Sequence, residues 1–225
     1  MNSPSTTVTA TEPDTARQAA KTLALAAFAG VICYVAIDVV LKFLRPEYSL
    51  LHNAESDYGR GPWFWVMDLN FLLRCALSLT IAVAISRSAR MDGRLRAGQV
   101  LLVIWAICSG LLAFFADDIE GTPQHGSGVV HIALALIAFT CVAVGTILIS
   151  ISLLSDDNWG ATGKLLLATS AAGFAAFLLL GSATRHPHAP GGLYERIFLG
   201  LELLWIAIAA WHIAAKPPTP QQLKA

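Results

Sequence analysis

Apolar residues continue with few interruptions through six stretches: Thr22–Leu44, Trp63–Ser86, Ala97–Ala116, Val129–Leu154, Lys164–Ala183 and Leu193–Ala215. Each is long enough to cross a bilayer as a helix, which takes about 20 residues. None shows the period-two alternation of a barrel strand. Backbone in lipid is satisfied only by helices or closed barrels. The pattern predicts an all-α polytopic membrane protein, a six-transmembrane-helix bundle over residues 21–215. Residues 1–20, rich in Ser, Thr and Ala, read as a disordered N-terminal tail. Lys216-Pro217-Pro218-Thr219-Pro220 opens a short C-terminal tail, residues 216–225, because proline cannot continue a helix.

Composition agrees. Hydrophobic residues make up 56% of the 225 and charged residues 13%, about half the charge of a soluble domain. Net charge is zero, which leaves no basic surface for nucleic acid. The cysteines, Cys33, Cys75, Cys108 and Cys141, each fall near the middle of one of the first four runs and form no C-x-x-C pair; they read as small packing residues. Lys and Arg at the run ends divide unequally. Arg17, Lys21, Arg87, Arg90, Arg94, Arg96, Lys164, Lys216 and Lys224 lie on one side, and Lys42, Arg45, Arg60, Arg185 and Arg196 on the other. The excess places both termini in the cytoplasm of a multi-pass protein of the cell (plasma or inner) membrane.

Chemistry-bearing residues gather in the outer connections. The first carries Glu47, Tyr48, His52, Glu55, Ser56, Asp57 and Arg60. The second carries Asp117, Asp118, Glu120, His125 and Ser127, with His131 one turn into the next helix. The third carries Arg185, His186 and His188, followed by Tyr194, Glu195 and Arg196. Charge continues into the runs: Asp38 and Lys42 at i,i+4, then Asp68, Arg74 and Glu202. An intramembrane charge normally faces the bundle interior with a partner. Arg74 and Glu202, alike in depth and opposite in sign, are the expected pair. Asp118 and His131, joined by a carboxylate from another helix, are donor types that suit a divalent metal such as zinc. The structural alternative is a polar cluster that only fixes helix register.

The outer motifs carry a family resemblance. Arg45-Pro46-Glu47-Tyr48-Ser49 followed by Glu55-Ser56-Asp57-Tyr58-Gly59 resembles the proline-tyrosine and Ser-acid-x-Gly pattern of the DUF998 membrane proteins of bacteria and archaea. Phe114-Phe115-Ala116-Asp117-Asp118 followed by Gly128-Val129-Val130-His131 is similar to the same family, as is Gly192-Leu193-Tyr194-Glu195-Arg196 at the opening of the last run. The resemblance covers residues 22–215. The chain departs from the family at Asp57, often Glu there, and at Glu195, where an amide is common. The family has no assigned function, so the resemblance implies six helices and the matched positions Ser56, Asp57, Asp118, His131 and Arg196.

Three readings follow. The first is an enzyme, a hydrolase or transferase acting on a lipid or another amphiphile. Asp118, His131 and Asp57 would hold a metal or act as acid and base, Ser56 would hold a water or substrate oxygen, and Arg196 would meet a substrate anion. The second is a proton-coupled small-molecule transporter or binding protein using Asp38, Asp68, Arg74 and Glu202. The third is a structural or accessory membrane protein. A polar chain continuous to the inner face favours transport; a pocket closed below Glu202 favours an enzyme or receptor.

Overall fold

A computed structural model describes residues 12–118, 125–183, 185–186 and 188–215. It holds six helices: α1 (Glu12–Leu44), α2 (Phe64–Ser86), α3 (Gly93–Leu112), α4 (Gly126–Leu154), α5 (Gly160–Ala183) and α6 (Gly191–Ala215). All six are long and apolar enough to cross a membrane, and the chain is a multi-pass membrane protein. Large apolar side chains such as Phe43, Val100, Leu136, Leu178 and Trp211 stand exposed on the outside, as lipid-facing residues do. A helix apolar on all sides belongs in such a solvent.

Consecutive helices pack on one another and α6 closes back onto α1, so the bundle is a ring; α2 and α6 also touch across it. The α3–α4 contact is closest where Gly98 meets Gly145. A methyl group at Gly98 would lie 2.8 Å from the Gly145 carbonyl and 2.6 Å from Ile149 Cγ1. Small residues at a crossing let backbones approach, which is how helices associate when lipid removes the hydrophobic drive between them.

The helix bounds depart from the hydropathy pattern for local reasons. α3 begins at Gly93 because Asp92 caps it, its carboxylate accepting from the Leu95 N–H at 2.7 Å. α1 begins at Glu12, so residues 12–20 of the expected tail are helical. Ala16, Arg17, Gln18, Ala19 and Ala20 are strong helix formers, and a polar stretch can extend a helix beyond the membrane. Residues 1–11 of that tail and the C-terminal tail, 216–225, lie outside the described residues.

Candidate functional site

The segment between α1 and α2 folds over one end of the bundle as a cap. Arg45, buried just past α1, holds it together. Its Nη1 donates to the carbonyls of Arg60 and Pro62, its Nη2 donates to the Tyr48 hydroxyl at 3.0 Å, and its Nε pairs with Glu47. Lys42 donates to the carbonyls of Pro46 and Tyr48, at 3.3 and 2.5 Å. It therefore serves the cap. A 3₁₀ turn, Glu55–Gly59, then drops Glu55, Asp57 and Tyr58 into buried positions.

The cap docks on the start of α6. The Leu193 N–H donates to the Leu51 carbonyl at 3.1 Å. Arg196 Nη1 donates to the carbonyls of Asn53 (2.7 Å), Leu50 (3.3 Å) and Gly192 (3.1 Å). Gly192 is required by contact, since a Cβ there would stand 2.1 Å from the Asn53 carbonyl oxygen. The Gly-x-x-x-Arg pattern is thus one docking device, a gap and a clamp acting on the same carbonyl.

Under the cap lies a cavity of about 240 Å³. Its polar lining is Glu55, Ser56, Arg74, Asp117, His131 and Glu195; its apolar walls include Phe71, Ile132, Leu136, Phe139, Phe177 and Leu180. Tyr34 joins two of the polar groups. Its hydroxyl donates to Glu55 and accepts from Arg74 Nη1 at 3.1 Å. The Glu55 N–H donates to Glu195 at 3.3 Å. Arg74 also donates from Nε to Ser109 at 3.2 Å, and its guanidinium carbon sits 4.8 Å from the Trp105 ring and 5.2 Å from the Phe71 ring. Such stacking suits the planar, weakly hydrated Arg group.

His131 is buried, with its ring edge-on to Phe71. Its Nδ1 lies 2.6 Å from the Phe115 carbonyl oxygen. A carbonyl only accepts, so Nδ1 carries the proton and Nε2 is left as the ring's acceptor. This is the tautomer a general base needs.

Ser56 and His131 line one cavity. Asp57, Asp118 and Arg196 do not line it. Asp57 pairs with Arg60 and accepts from Asn53 at 3.1 Å. Asp118 accepts on its carbonyl from Arg60 and on its carboxylate from the His125 N–H at 2.6 Å. These two aspartates, with Arg60 between them, tie the first outer connection to the second. Tyr34, Glu55, Asp117 and Glu195 also belong to the site. The last three directly precede Ser56, Asp118 and Arg196 in the chain; Tyr34, inside an apolar run, offers only its hydroxyl one turn before Asp38.

The intramembrane charges also correct the expected pairing. Arg74 faces α1 and α3, and no ion pair joins it to Glu202 among the described residues. Glu202 faces α5, its Oε1 2.8 Å from where a Cβ on Gly173 would stand. Asp68 is half-buried on α2. Asp38 has a buried Oδ1 with no hydrogen-bond partner among the described residues. Phe198, one turn from Glu202 on α6, packs on Phe139 at 5.1 Å and on Phe177 at 5.6 Å between ring centres, and both of those rings line the cavity. Among the described residues no three His, Cys, Asp or Glu side chains converge on a metal position. Among the described residues the donors expected around Asp118 and His131 are not assembled.

Burial pushes the Asp57 carboxyl above its ordinary range, against Arg60 and Asn53, which pull it down. A carboxyl that binds its proton more tightly in the folded state favours the fold most at pH below its unfolded value, about 3.9. That advantage is lost as pH rises through the folded value. Asp57→Asn removes this contribution. Thermal unfolding of the purified protein between pH 4 and 7 should show the wild type losing more stability on raising pH than the variant. A wild-type-to-variant difference constant over that range would contradict the assignment.

Comparison with curated proteins and with solved structures returns no match in either. Over residues 28–212 the chain matches the family model described as "Protein of unknown function (DUF998)", and it belongs to that family.

Proposed function

We propose that the protein is a membrane-embedded enzyme, a hydrolase or transferase acting on an amphiphile whose head enters the capped cavity. The observation that carries this reading is the composition of that one cavity. A histidine in the base tautomer, a serine hydroxyl, three carboxyl groups and an arginine share about 240 Å³ with an apolar wall from α4 and α5. A lipid-like molecule fits such a two-part lining, polar group inward and chain along Ile132, Leu136 and Leu180.

His131 Nε2 takes a proton from water, or from an acceptor hydroxyl in the transferase case, as that oxygen attacks an ester carbon or phosphorus. The same proton then passes to the departing oxygen. Ser56 holds the attacking or substrate oxygen, and Arg74 meets the anionic oxygens of the head. Asp57, Asp118 and Arg196 shape the mouth.

The test is mass spectrometry of a total membrane-lipid extract incubated with the purified protein. The wild type should deplete one lipid class with time and release matching products. His131→Ala should slow this by about 10²- to 10⁴-fold, and thermal unfolding checks that the fold persists. An unchanged extract, or turnover as fast in His131→Ala, sinks the proposal.

A further inference from the structure

The capped cavity carries more acids than bases, and the proposed reaction gives its carboxyl groups no task. Glu55, Asp117 and Glu195 line it together with a single arginine, Arg74. Among the described residues the ion pairs are Arg45–Glu47 and Arg60–Asp57, so none of these four side chains is in one. Two groups outside the lining act on them through space, Arg196 on Glu195 and Asp38 on Glu55. One is a cation and the other an acid, so together they leave the excess as it is. His131 in its base form adds no charge.

Two of the acids meet directly. Glu55 and Glu195 are 3% and 8% exposed, and the Glu55 N–H donates to Glu195 Oε2. The Tyr34 hydroxyl donates to Glu55 Oε1, which leaves each carboxyl its second oxygen. Neighbouring buried carboxylates repel, and a cation between them relieves the repulsion. Arg74 gives Nε to Ser109 and Nη1 to Tyr34 and keeps Nη2 for an anionic oxygen. Among the described residues no three acids converge on one point. Charges spread over about 240 Å³ suit a head group whose own charges are separated. Ile132 and Leu136 line the same cavity and are 46% and 59% exposed, so the cavity opens along α4 to the hydrocarbon of the bilayer.

We propose that the head held in the capped cavity is that of an aminophospholipid, its primary ammonium between Glu55 and Glu195, its phosphate on Arg74 and its chains leaving past Ile132 and Leu136. This rests on reading the cavity as the place of a lipid head, and it adds which head is taken. A primary ammonium brings a positive charge and three N–H donors to the free carboxyl oxygens. A trimethylammonium brings the charge without the donors, and a glycerol head brings no cation.

The full chain in a neutral detergent is exposed to an equal mixture of phosphatidylethanolamine, phosphatidylcholine and phosphatidylglycerol with the same chains. Native mass spectrometry reads what is retained, counting intact lipid and any bound product together, so the measurement does not depend on turnover. Phosphatidylethanolamine should be preferred over both others by about tenfold, the effect of one hydrogen bond between charged groups. Glu195→Gln keeps the shape, removes the charge and should abolish most of that preference. Asp117→Asn, at a less buried position where the fold is less at stake, should reduce it in the same direction. Asp68→Asn, an equal charge loss outside the lining, should leave it unchanged. Glycerophosphoethanolamine, the same head without chains, should not displace the lipid at equal concentration. Equal retention of the three lipids, a preference untouched by both Glu195→Gln and Asp117→Asn, equal loss in Asp68→Asn, or displacement by the chainless head each overturns the proposal. Lipid turnover without the preference would remove the head assignment and leave the enzyme reading; the preference without turnover would do the reverse.

Discussion

Gly192→Ala is expected to destabilise the protein by about 1–3 kcal/mol, the usual cost of forcing extra atoms into a packed contact, whereas Gly200→Ala, two turns along the same helix, is expected to be neutral or slightly stabilising. The added methyl at position 192 would lie 2.1 Å from the Asn53 carbonyl oxygen and 2.8 Å from its carbon. Those are backbone atoms, which cannot rotate away like the end of a side chain. The cap must lift instead. Lifting stretches the Leu193-to-Leu51 and Arg196-to-Asn53 hydrogen bonds and draws the Glu55 N–H from Glu195. At Gly200 no atom stands within 4 Å of the new methyl, and alanine is the better helix former by roughly 0.5–1 kcal/mol. Tryptophan-fluorescence unfolding of both variants in one detergent measures the contrast. Equal stability would mean that the cap does not rest on α6 as described.

This contrast marks where sequence reasoning reaches its limit. Six spans, their order and the crowding of polar residues at one end follow from hydropathy alone, because lipid leaves the backbone so few options. The Gly192–Arg196 motif is visible as a pattern, but its purpose depends on Asn53, far away in the chain. The candidate residues show the same limit more finely. Asp57, Asp118 and Arg196 stand out by charge and motif, yet the cavity takes Ser56 with Glu55, then Asp117, then Glu195. In the last two cases the residue just before the chosen one faces inward. Adjacent residues in a helix point about 100° apart, from 3.6 residues per turn, so spacing along the chain names a neighbourhood and not a direction. Only packing against other helices decides which neighbour turns inward.

Depth fails in the same way for the charges within the spans. Arg74 and Glu202 match in depth and sign, but α2 turns Arg74 toward Tyr34, Ser109 and Trp105 while α6 turns Glu202 toward Gly173. Glu195, two turns from Glu202 on the same face of α6, is the carboxyl of that helix that shares a cavity with Arg74, together with Glu55 and Asp117.

A mutant cycle separates the two pairings. Arg74→Gln is expected to cost about 3–5 kcal/mol, the range for removing one member of a buried charged set. The buried guanidinium gives up its stacking on Trp105 and Phe71 and its donation to the Tyr34 hydroxyl that supports Glu55. Adding Glu195→Gln should recover part of that loss, because a buried carboxyl that feels the Arg74 charge, alongside that of Arg196, is then gone. The double variant should be more stable than the sum of the single effects predicts by more than about 0.5 kcal/mol. Adding Glu202→Gln instead should give a simple sum within about 0.5 kcal/mol, as for residues with no shared partner. Denaturant unfolding in mixed micelles supplies the energies. Additivity with Glu195 together with coupling to Glu202 would restore the pairing by depth. It would also remove Arg74 from the cavity, and with it the cation that the proposed reaction assigns to the substrate's anionic oxygens.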